Sequence, residues 1–213
     1  MTPYNGLIRD TPHITLYIGR KSSGKTKLLI DMLLDKRGYR GVYGQVTIVS
    51  PTFELQKASW CRISGEGVTV YKEFTDAVLE KIYNDQQSNK SKCLVIFDDN
   101  GDDLRKVSPA VFNKLVSNSR HLGGGLSIIA LCQKLTQSPT ILRSNTDSFV
   151  CFSATSLREQ LILYQEVGVT DMKTFTKMFR DATGEQYSCL VITLIAGKIR
   201  FFKNFSQEYN LIK

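Results

Sequence analysis

Runs of consecutive apolar residues alternate along this chain with stretches in which apolar positions recur every three or four residues. Ile14–Ile18 is a short β-branched run ending at a glycine, and it predicts a strand buried on both faces. Leu28, Leu29, Met32 and Leu33 then fall on one face at helical spacing. Val46–Val49 predicts a second strand, stopped by Ser50-Pro51. Phe74, Ala77, Val78 and Ile82 predict an amphipathic helix that fades into the polar stretch 84–92. Cys93-Leu94-Val95-Ile96-Phe97 is the most hydrophobic strand-like run, and it leads straight into Asp98-Asp99. Ser108-Pro109 predicts a capped helix start with proline at the first helical position, and Phe112, Leu115 and Val116 face inward.

Leu126–Cys132 and Ser148–Phe152 predict two further strands, with Ser138-Pro139 repeating the helix start between them. Ser156 and Glu159 predict a capping box ahead of Leu157, Leu161 and Tyr164. Thr170 opens the next helix, which carries Met172, Phe175, Met178 and Phe179. Cys189–Ile195, a turn at Gly197 and Ile199–Phe202 predict a closing β-hairpin. Strands buried on both faces and separated by helices specify an α/β sandwich with a mostly parallel central sheet.

The length, 213 residues, suits one substantial domain. We read 1–213 as that domain, with the core motifs within 11–152 and the C-terminal helices and hairpin in 156–205. A composition of 42% hydrophobic and 23% charged residues excludes a mainly disordered, collagen-like or fibrous chain. No apolar run approaches the roughly 20 residues that cross a bilayer. Residues 1–10 lack the basic-then-apolar layout of a secretory signal. Twenty-eight Lys and Arg against 20 Asp and Glu give a net charge of +8, which favours a polyanionic partner. The five cysteines form no Cys-x-x-Cys pair, and four lie in apolar runs where a thiol behaves as a small hydrophobe. With only His13 and His121 beside them, a zinc framework lacks ligands. The expectation is a reduced, intracellular protein whose framework is metal-free.

Gly19-Arg20-Lys21-Ser22-Ser23-Gly24-Lys25-Thr26 fits G-x-x-x-x-G-K-[ST], and it sits between a buried strand and an amphipathic helix as that motif requires. Backbone N–H groups of such a loop converge on phosphate oxygens, helped by the positive end of the following helix. Lys25 then reaches the β- and γ-phosphates and Thr26 ligates Mg²⁺. A strand beside the first, Cys93–Phe97, delivers Asp98 toward the metal at the C-terminal end of the sheet. Asp99 points elsewhere and polarises the attacking water, while Asp102 and Asp103 read as a solvated turn. ATP and Mg²⁺ are the expected cofactors, and the fold expected is the P-loop NTPase three-layer sandwich. Asn113-Lys114-Leu115-Val116 lacks the aspartate of a guanine-reading element, and no arginine-rich lid of a nucleotide kinase follows a Gly/Pro stretch. Hydrolysis by a motor ATPase fits better.

Several further features carry a resemblance. They are Val49-Ser50-Pro51-Thr52, Phe97-Asp98-Asp99, Ser119-Arg120-His121, a strand ending in Gln133, and Leu142-Arg143-Ser144-Asn145. In that order they resemble the genome-packaging ATPases of large DNA viruses and virophages, the poxvirus-type branch of the FtsK–HerA superfamily. The resemblance spans about Thr11 to Phe152. It implies a homo-oligomeric ring, pentamer or hexamer, that drives double-stranded DNA into a preformed capsid through a capsid vertex protein. It also implies a place in the virion and at the assembly site inside the host cell. By the same similarity Gln133 is the γ-phosphate sensor, although a solvated strand terminus accounts for it equally well. Arg120, at a helix end before Gly123-Gly124-Gly125, is the candidate finger onto a neighbouring subunit's phosphate. Arg143 competes with it, Arg105 is a weaker third, and a cation at a helix C-terminus is the plain alternative.

For DNA, mobile basic loops would grip phosphates without reading sequence. Arg105 and Lys106 are the preferred pair because they lie just beyond the catalytic strand. For any single basic residue, including Lys36, Arg37, Arg40, Lys198, Arg200 and Lys203, a solvated surface is the simpler reading. A P-loop small-molecule kinase and a nucleotide-gated binding module remain alternatives at this point.

Overall fold

A computed structural model describes residues 7, 12–63, 65, 67–99, 106–153, 156–168, 171–195 and 197–210. The strands are β1 (Ile14–Ile18), β2 (Gln45–Val49), β3 (Val68–Tyr71), β4 (Cys93–Asp98), β5 (Leu126–Cys132), β6 (Ser148–Phe152), β7 (Cys189–Ile195), β8 (Lys198–Lys203) and β9 (Gln207–Glu208). They form one sheet in the order β3-β2-β4-β5-β1-β6-β7-β8-β9. Neighbours from β3 to β6 run parallel. From β6 to β9 the pairings are antiparallel.

The helices are α1 (Lys25–Leu34), α2 (Lys57–Trp60), α3 (Asp76–Ser88), α4 (Pro109–Asn118), α5 (Thr140–Ser144), α6 (Leu157–Val167) and α7 (Met172–Thr183). Side chains alternate across each strand, so Leu16 enters one core layer and Tyr17 the other. On Tyr17's side the sheet packs against α1 and Trp60 of α2. On Leu16's side it packs against α3, α4, α5, α6 and α7. This is the expected three-layer α/β sandwich, mostly parallel, with an antiparallel hairpin at its C-terminal end. Among the described residues no helix is long and apolar enough to cross a membrane.

The strand register corrects one expectation. The acidic strand β4 does not lie beside β1, because β5 is inserted between them. The helix faces carry more corrections. Leu157 and Leu161 are exposed, and α6 buries Leu163 and Val167 instead. Ser156 does accept the Glu159 N–H at 3.3 Å. The Glu159 carboxylate, however, leaves the capping box and takes the Leu135 N–H at 2.7 Å and the Thr136 hydroxyl at 2.8 Å. That ties α6 to the turn after β5. In α3, Leu79 rather than Ala77 enters the core beside Ile82. Pro139 is the N-cap of α5 rather than its first residue. The helix carrying Phe175, Met178 and Phe179 begins at Met172, capped by Asp171; the expected start at Thr170 lies outside the described residues, as do Asp102 and Asp103.

Candidate nucleotide site

The glycine-rich loop joins the C-terminal end of β1 to α1, and its Gly19 N–H donates to the Cys132 carbonyl at 3.1 Å. Its shape explains both glycines. A Cβ on Gly19 would lie 2.8 Å from Phe152 and from Ser23, and Gly24 takes a left-handed φ of 100° as the N-cap of α1. No side chain caps α1, and its first turn carries no acid. Its first N–H groups are therefore left to an anion at the positive end of the helix. Ser23 Oγ, packed against Gly19, is buried with no hydrogen-bond partner. The Lys25 ammonium donates to the carbonyls of Gly19 at 2.6 Å and Arg20 at 2.9 Å. Burial pulls the Lys25 pKa down, and the carboxylates of Asp99 and Asp98 oppose that fall.

Asp98, the last residue of β4, is only 2% exposed. Its Oδ2 accepts from the Trp60 indole N–H at 3.2 Å and from the Ser50 hydroxyl at 3.3 Å. Burial pushes its pKa up to about 6 against the Trp60 hydrogen bond; the Asp99 charge adds to the rise, while Ser50 and Lys25 oppose it. With both donors on Oδ2, Oδ1 is the oxygen left for a ligand. Asp99 leaves the strand with a φ of 55°, a left-handed turn that aspartate tolerates. That turn aims its Oδ1 at Gln133, whose amide donates to it at 2.9 Å. Lys25, Thr26, Asp98, Asp99 and Gln133 thus line a single cleft of about 650 Å³ together with the loop from Lys21 to Gly24.

These residues fit a magnesium-bound triphosphate. The cradle offers amides and an ammonium to the phosphates, while Thr26 and Asp98 Oδ1 suit the metal side. Among the described residues no three His, Cys, Asp or Glu side chains gather into an all-protein metal cage. Magnesium suits such a sparse site, because it keeps waters and substrate phosphates as most of its ligands.

The arginines stand elsewhere. Arg120 lies between α4 and β5, at the N-terminal edge of the parallel strands and so at the opposite end of the sheet from the loop. Its guanidinium donates to both Asp147 oxygens, at 2.9 and 3.1 Å. Asp147 in turn accepts the Ile14 N–H at 2.9 Å. The Arg120 side chain is 51% exposed and that of Arg143 is 18% exposed. Arg143 Nη2 reaches Thr140 Oγ1 at 3.2 Å and Nε approaches Glu166 at 3.7 Å. Lys106 is exposed just ahead of α4, and Arg105 lies outside the described residues. Of the other basic residues, Arg37 pairs with Asp35, Arg200 with Glu208 and Lys203 with Glu185. His121 is exposed, and His13 is buried with Nε2 on the Tyr39 hydroxyl at 3.2 Å.

The sequence reading gave no role to Trp60 or Tyr187. Trp60 comes from the β2–β3 connection, where a short helical segment buries it among core residues. Its one local signal was being the sole tryptophan of the chain. Tyr187 enters the cleft from the loop before β7, because antiparallel pairing with β6 brings the start of β7 to the phosphate-loop end of the sheet.

A family model described as "Poxvirus A32 protein" matches residues 3–200. Among solved structures, the chain is 21% identical to the genome packaging NTPase B204 of Sulfolobus turreted icosahedral virus 2 in complex with AMPPCP. That match has a TM-score of 0.62 and covers 91% of this chain and 98% of the other. B204, the DNA-packaging ATPase of Sulfolobus turreted icosahedral virus, is 18% identical with a TM-score of 0.64 over 91% and 98% of the two chains. The pCW3 conjugation coupling protein TcpA in its monomer form with ATPγS is 13% identical, with a TM-score of 0.58 over 94% of this chain and 61% of that one. At these identities the three share the fold. No curated protein sequence matches.

Proposed function

The chain belongs to the poxvirus A32 protein family, and on that premise we propose that it is a viral genome-packaging ATPase, a motor that hydrolyses ATP to drive double-stranded DNA into a preformed capsid. The observation that carries the reading is the convergence of an uncapped helix N-terminus, Lys25, two adjacent carboxylates and Gln133 on one cleft. Each element matches a need of phosphoryl transfer to water. The 19–26 loop holds the phosphates by its amides, and Lys25 exchanges its contacts to Gly19 and Arg20 for the β- and γ-oxygens. Thr26 and Asp98 hold the magnesium, which supplies charge neutralisation on the phosphates when bound. Asp99 orients and deprotonates the attacking water. The Gln133 amide, already hydrogen-bonded to Asp99, links that water to the γ-phosphate and reports its presence.

Arg120 acts on the neighbouring subunit's phosphate in a homo-oligomeric ring. Its half-exposed guanidinium suits a role between chains better than the mostly buried Arg143, and Asp147 orients it. Arg105 and Lys106 contact DNA phosphates without sequence preference, which makes binding salt-sensitive. A capsid vertex protein and the assembly site within the infected cell complete the setting.

The test is the ATPase rate against added duplex DNA at several salt concentrations, with particle mass measured on the same sample. The expected result is hydrolysis stimulated by DNA, weakened by salt, shown by an oligomer and abolished in Lys25→Ala. ATP turnover by a monomer indifferent to DNA, with the γ-phosphoryl group passed to a nucleoside hydroxyl instead of water, would overturn the motor reading in favour of a kinase. Tight ATP binding without turnover, unchanged in Asp99→Asn, would mark a nucleotide-gated binding module.

A further inference from the structure

Gln133 is exposed, yet hydrolysis as proposed above requires its amide to hold a fixed place between Asp99 and the phosphates. On one side it follows directly from the buried Cys132, whose carbonyl takes the Gly19 N–H. On the other it runs through Lys134 into a single 3₁₀ turn, Leu135–Gln137. That segment is closed on itself. The Lys134 N–H donates to Gln137 Oε1 at 3.0 Å, and the Ser138 hydroxyl hooks back to Cys132 Sγ at 3.2 Å. Glu159 of α6 anchors it from outside. Its Oε2 accepts the Leu135 N–H at 2.7 Å and the Thr136 N–H at 3.4 Å, and its Oε1 accepts the Thr136 hydroxyl at 2.8 Å.

Packing alone does not explain a glutamate at this position. Glu159 is 6% exposed, while Leu157 and Leu161 of the same helix are 69% and 43% exposed. A helix that turns a carboxylate inward and two leucines outward gives up apolar burial and takes on a desolvation cost. Departures from the local rule of this kind collect at functional sites. What offsets the cost is a set of charge-assisted hydrogen bonds, and all three end on the two residues after Lys134. Without them the Leu135 N–H, on a residue only 1% exposed, would be left buried and unsatisfied. The strand leading to α6 also abuts the phosphate loop: a Cβ on Gly19 would lie 2.8 Å from Phe152, the last residue of β6. Ser156 then caps α6 by accepting the Glu159 N–H.

We infer that Glu159 is a positioning residue for hydrolysis: its carboxylate clamps the turn at Leu135 and Thr136 and so fixes where Gln133 presents its amide to Asp99. Glu159 itself touches neither nucleotide nor water. Its effect passes through two residues of backbone, and it depends on hydrogen-bond geometry rather than on charge in the cleft. The inference rests on the ATPase reading above and on the place of Gln133 in it. It adds a residue from α6 that neither the glycine-rich loop nor the acidic strand contains.

The test measures ATP hydrolysis in single turnovers, with magnesium and duplex DNA, and affinity for AMPPCP by calorimetry. Glu159→Ala should slow hydrolysis by about tenfold to a hundredfold, the order expected for a misplaced catalytic group, and leave AMPPCP affinity unchanged. Glu159→Gln should restore the rate, because its carbonyl takes the two N–H groups while its amide donates to the Thr136 hydroxyl. In a Gln133→Ala background, Glu159→Ala should slow hydrolysis no further. An intact rate in Glu159→Ala, an equal loss in Glu159→Gln, a parallel loss of AMPPCP affinity, or a loss that adds to that of Gln133→Ala overturns the clamp. Should Glu159→Ala fail to fold, Thr136→Val decides. A slower rate that makes no further difference in Gln133→Ala supports the clamp, and an unchanged rate overturns it. Normal hydrolysis in Gln133→Ala alone overturns the sensor role, and no hydrolysis by the intact chain overturns the ATPase reading; the clamp falls with either.

Discussion

Replacing Asp98 with asparagine should make the metal-free, nucleotide-free protein more stable while abolishing its ATPase activity. The Asp98 carboxyl has an ordinary pKa of 3.8 and is pushed up to about 6 in the fold. Between those values the folded chain binds a proton that the unfolded chain has released, so stability falls as pH rises through that window. The penalty is absent below about pH 4 and fully present above about pH 6. Two units at about 1.36 kcal/mol each amount to at most about 3 kcal/mol. Asparagine keeps a carbonyl for the Trp60 and Ser50 donors and cannot ionise, so it removes this component.

The assay is urea unfolding of both proteins in EDTA between pH 4 and 8. The quantity read is the difference in unfolding free energy, in which the other titrating groups largely cancel. That difference should grow by up to about 3 kcal/mol in favour of Asp98→Asn from pH 4 to pH 6, then stay flat. Any pH-independent offset from the new amide leaves the slope intact. A difference flat across the whole range, or one growing in favour of the aspartate, would refute the buried, destabilised carboxylate. Retained ATP hydrolysis in the variant would separately remove Asp98 from the metal side.

Trp60→Phe removes one of the two donors to Asp98 Oδ2. It should lower stability by about 1–3 kcal/mol and raise the magnesium concentration needed for half-maximal turnover; an unchanged magnesium dependence would reduce Trp60 to a core residue. Arg120→Ala should keep ATP binding and lose turnover, and mixing it with Asp99→Asn subunits should recover activity from composite sites. Normal turnover in the single variant would leave Arg120 as a structural partner of Asp147. Because that pair is half-exposed on the arginine side, its loss should lower stability by only about 1 kcal/mol, which urea unfolding would check.

The parts legible in the sequence are those where local chemistry and fold agree. Continuous apolar runs such as Leu126–Cys132 and Cys93–Phe97 stand out because strands buried on both faces admit little else. The phosphate loop is legible because its glycines meet steric demands set within a few residues. Val68–Tyr71 went unread because it is a short edge strand whose residues are all only half-buried. The α6 face was misjudged at Leu157 and Leu161 because Glu159 and Gln160, polar in sequence, are buried there. The Glu159 bonds to the turn after β5 fix that rotation of the helix, and no local period encodes them. Trp60 and Tyr187 are illegible for the same reason: long-range strand pairing brings Trp60 to Asp98 and Tyr187 to the cleft.

Insertion of β5 between β1 and β4 has a consequence for how the cleft works. Had β4 paired directly with β1, as the sequence suggested, no strand end would lie between the loop and the acidic pair. With β5 interposed, Gln133 emerges between them, one residue past the Cys132 carbonyl that holds the Gly19 N–H. The residue hydrogen-bonded to Asp99 is therefore tied through one rigid strand to the floor of the phosphate loop. β5 continues backward to Leu126, beside the Arg120 turn and its Asp147 partner. One fully buried seven-residue strand thus has the nucleotide-facing amide at one end and the half-exposed arginine at the other. Because close-packed interiors deform little, a displacement of Gln133 in the motor proposed above should reach Leu126 as movement of the whole strand. In the homo-oligomeric ring proposed above, that strand would join one subunit's phosphate site to the arginine offered to its neighbour.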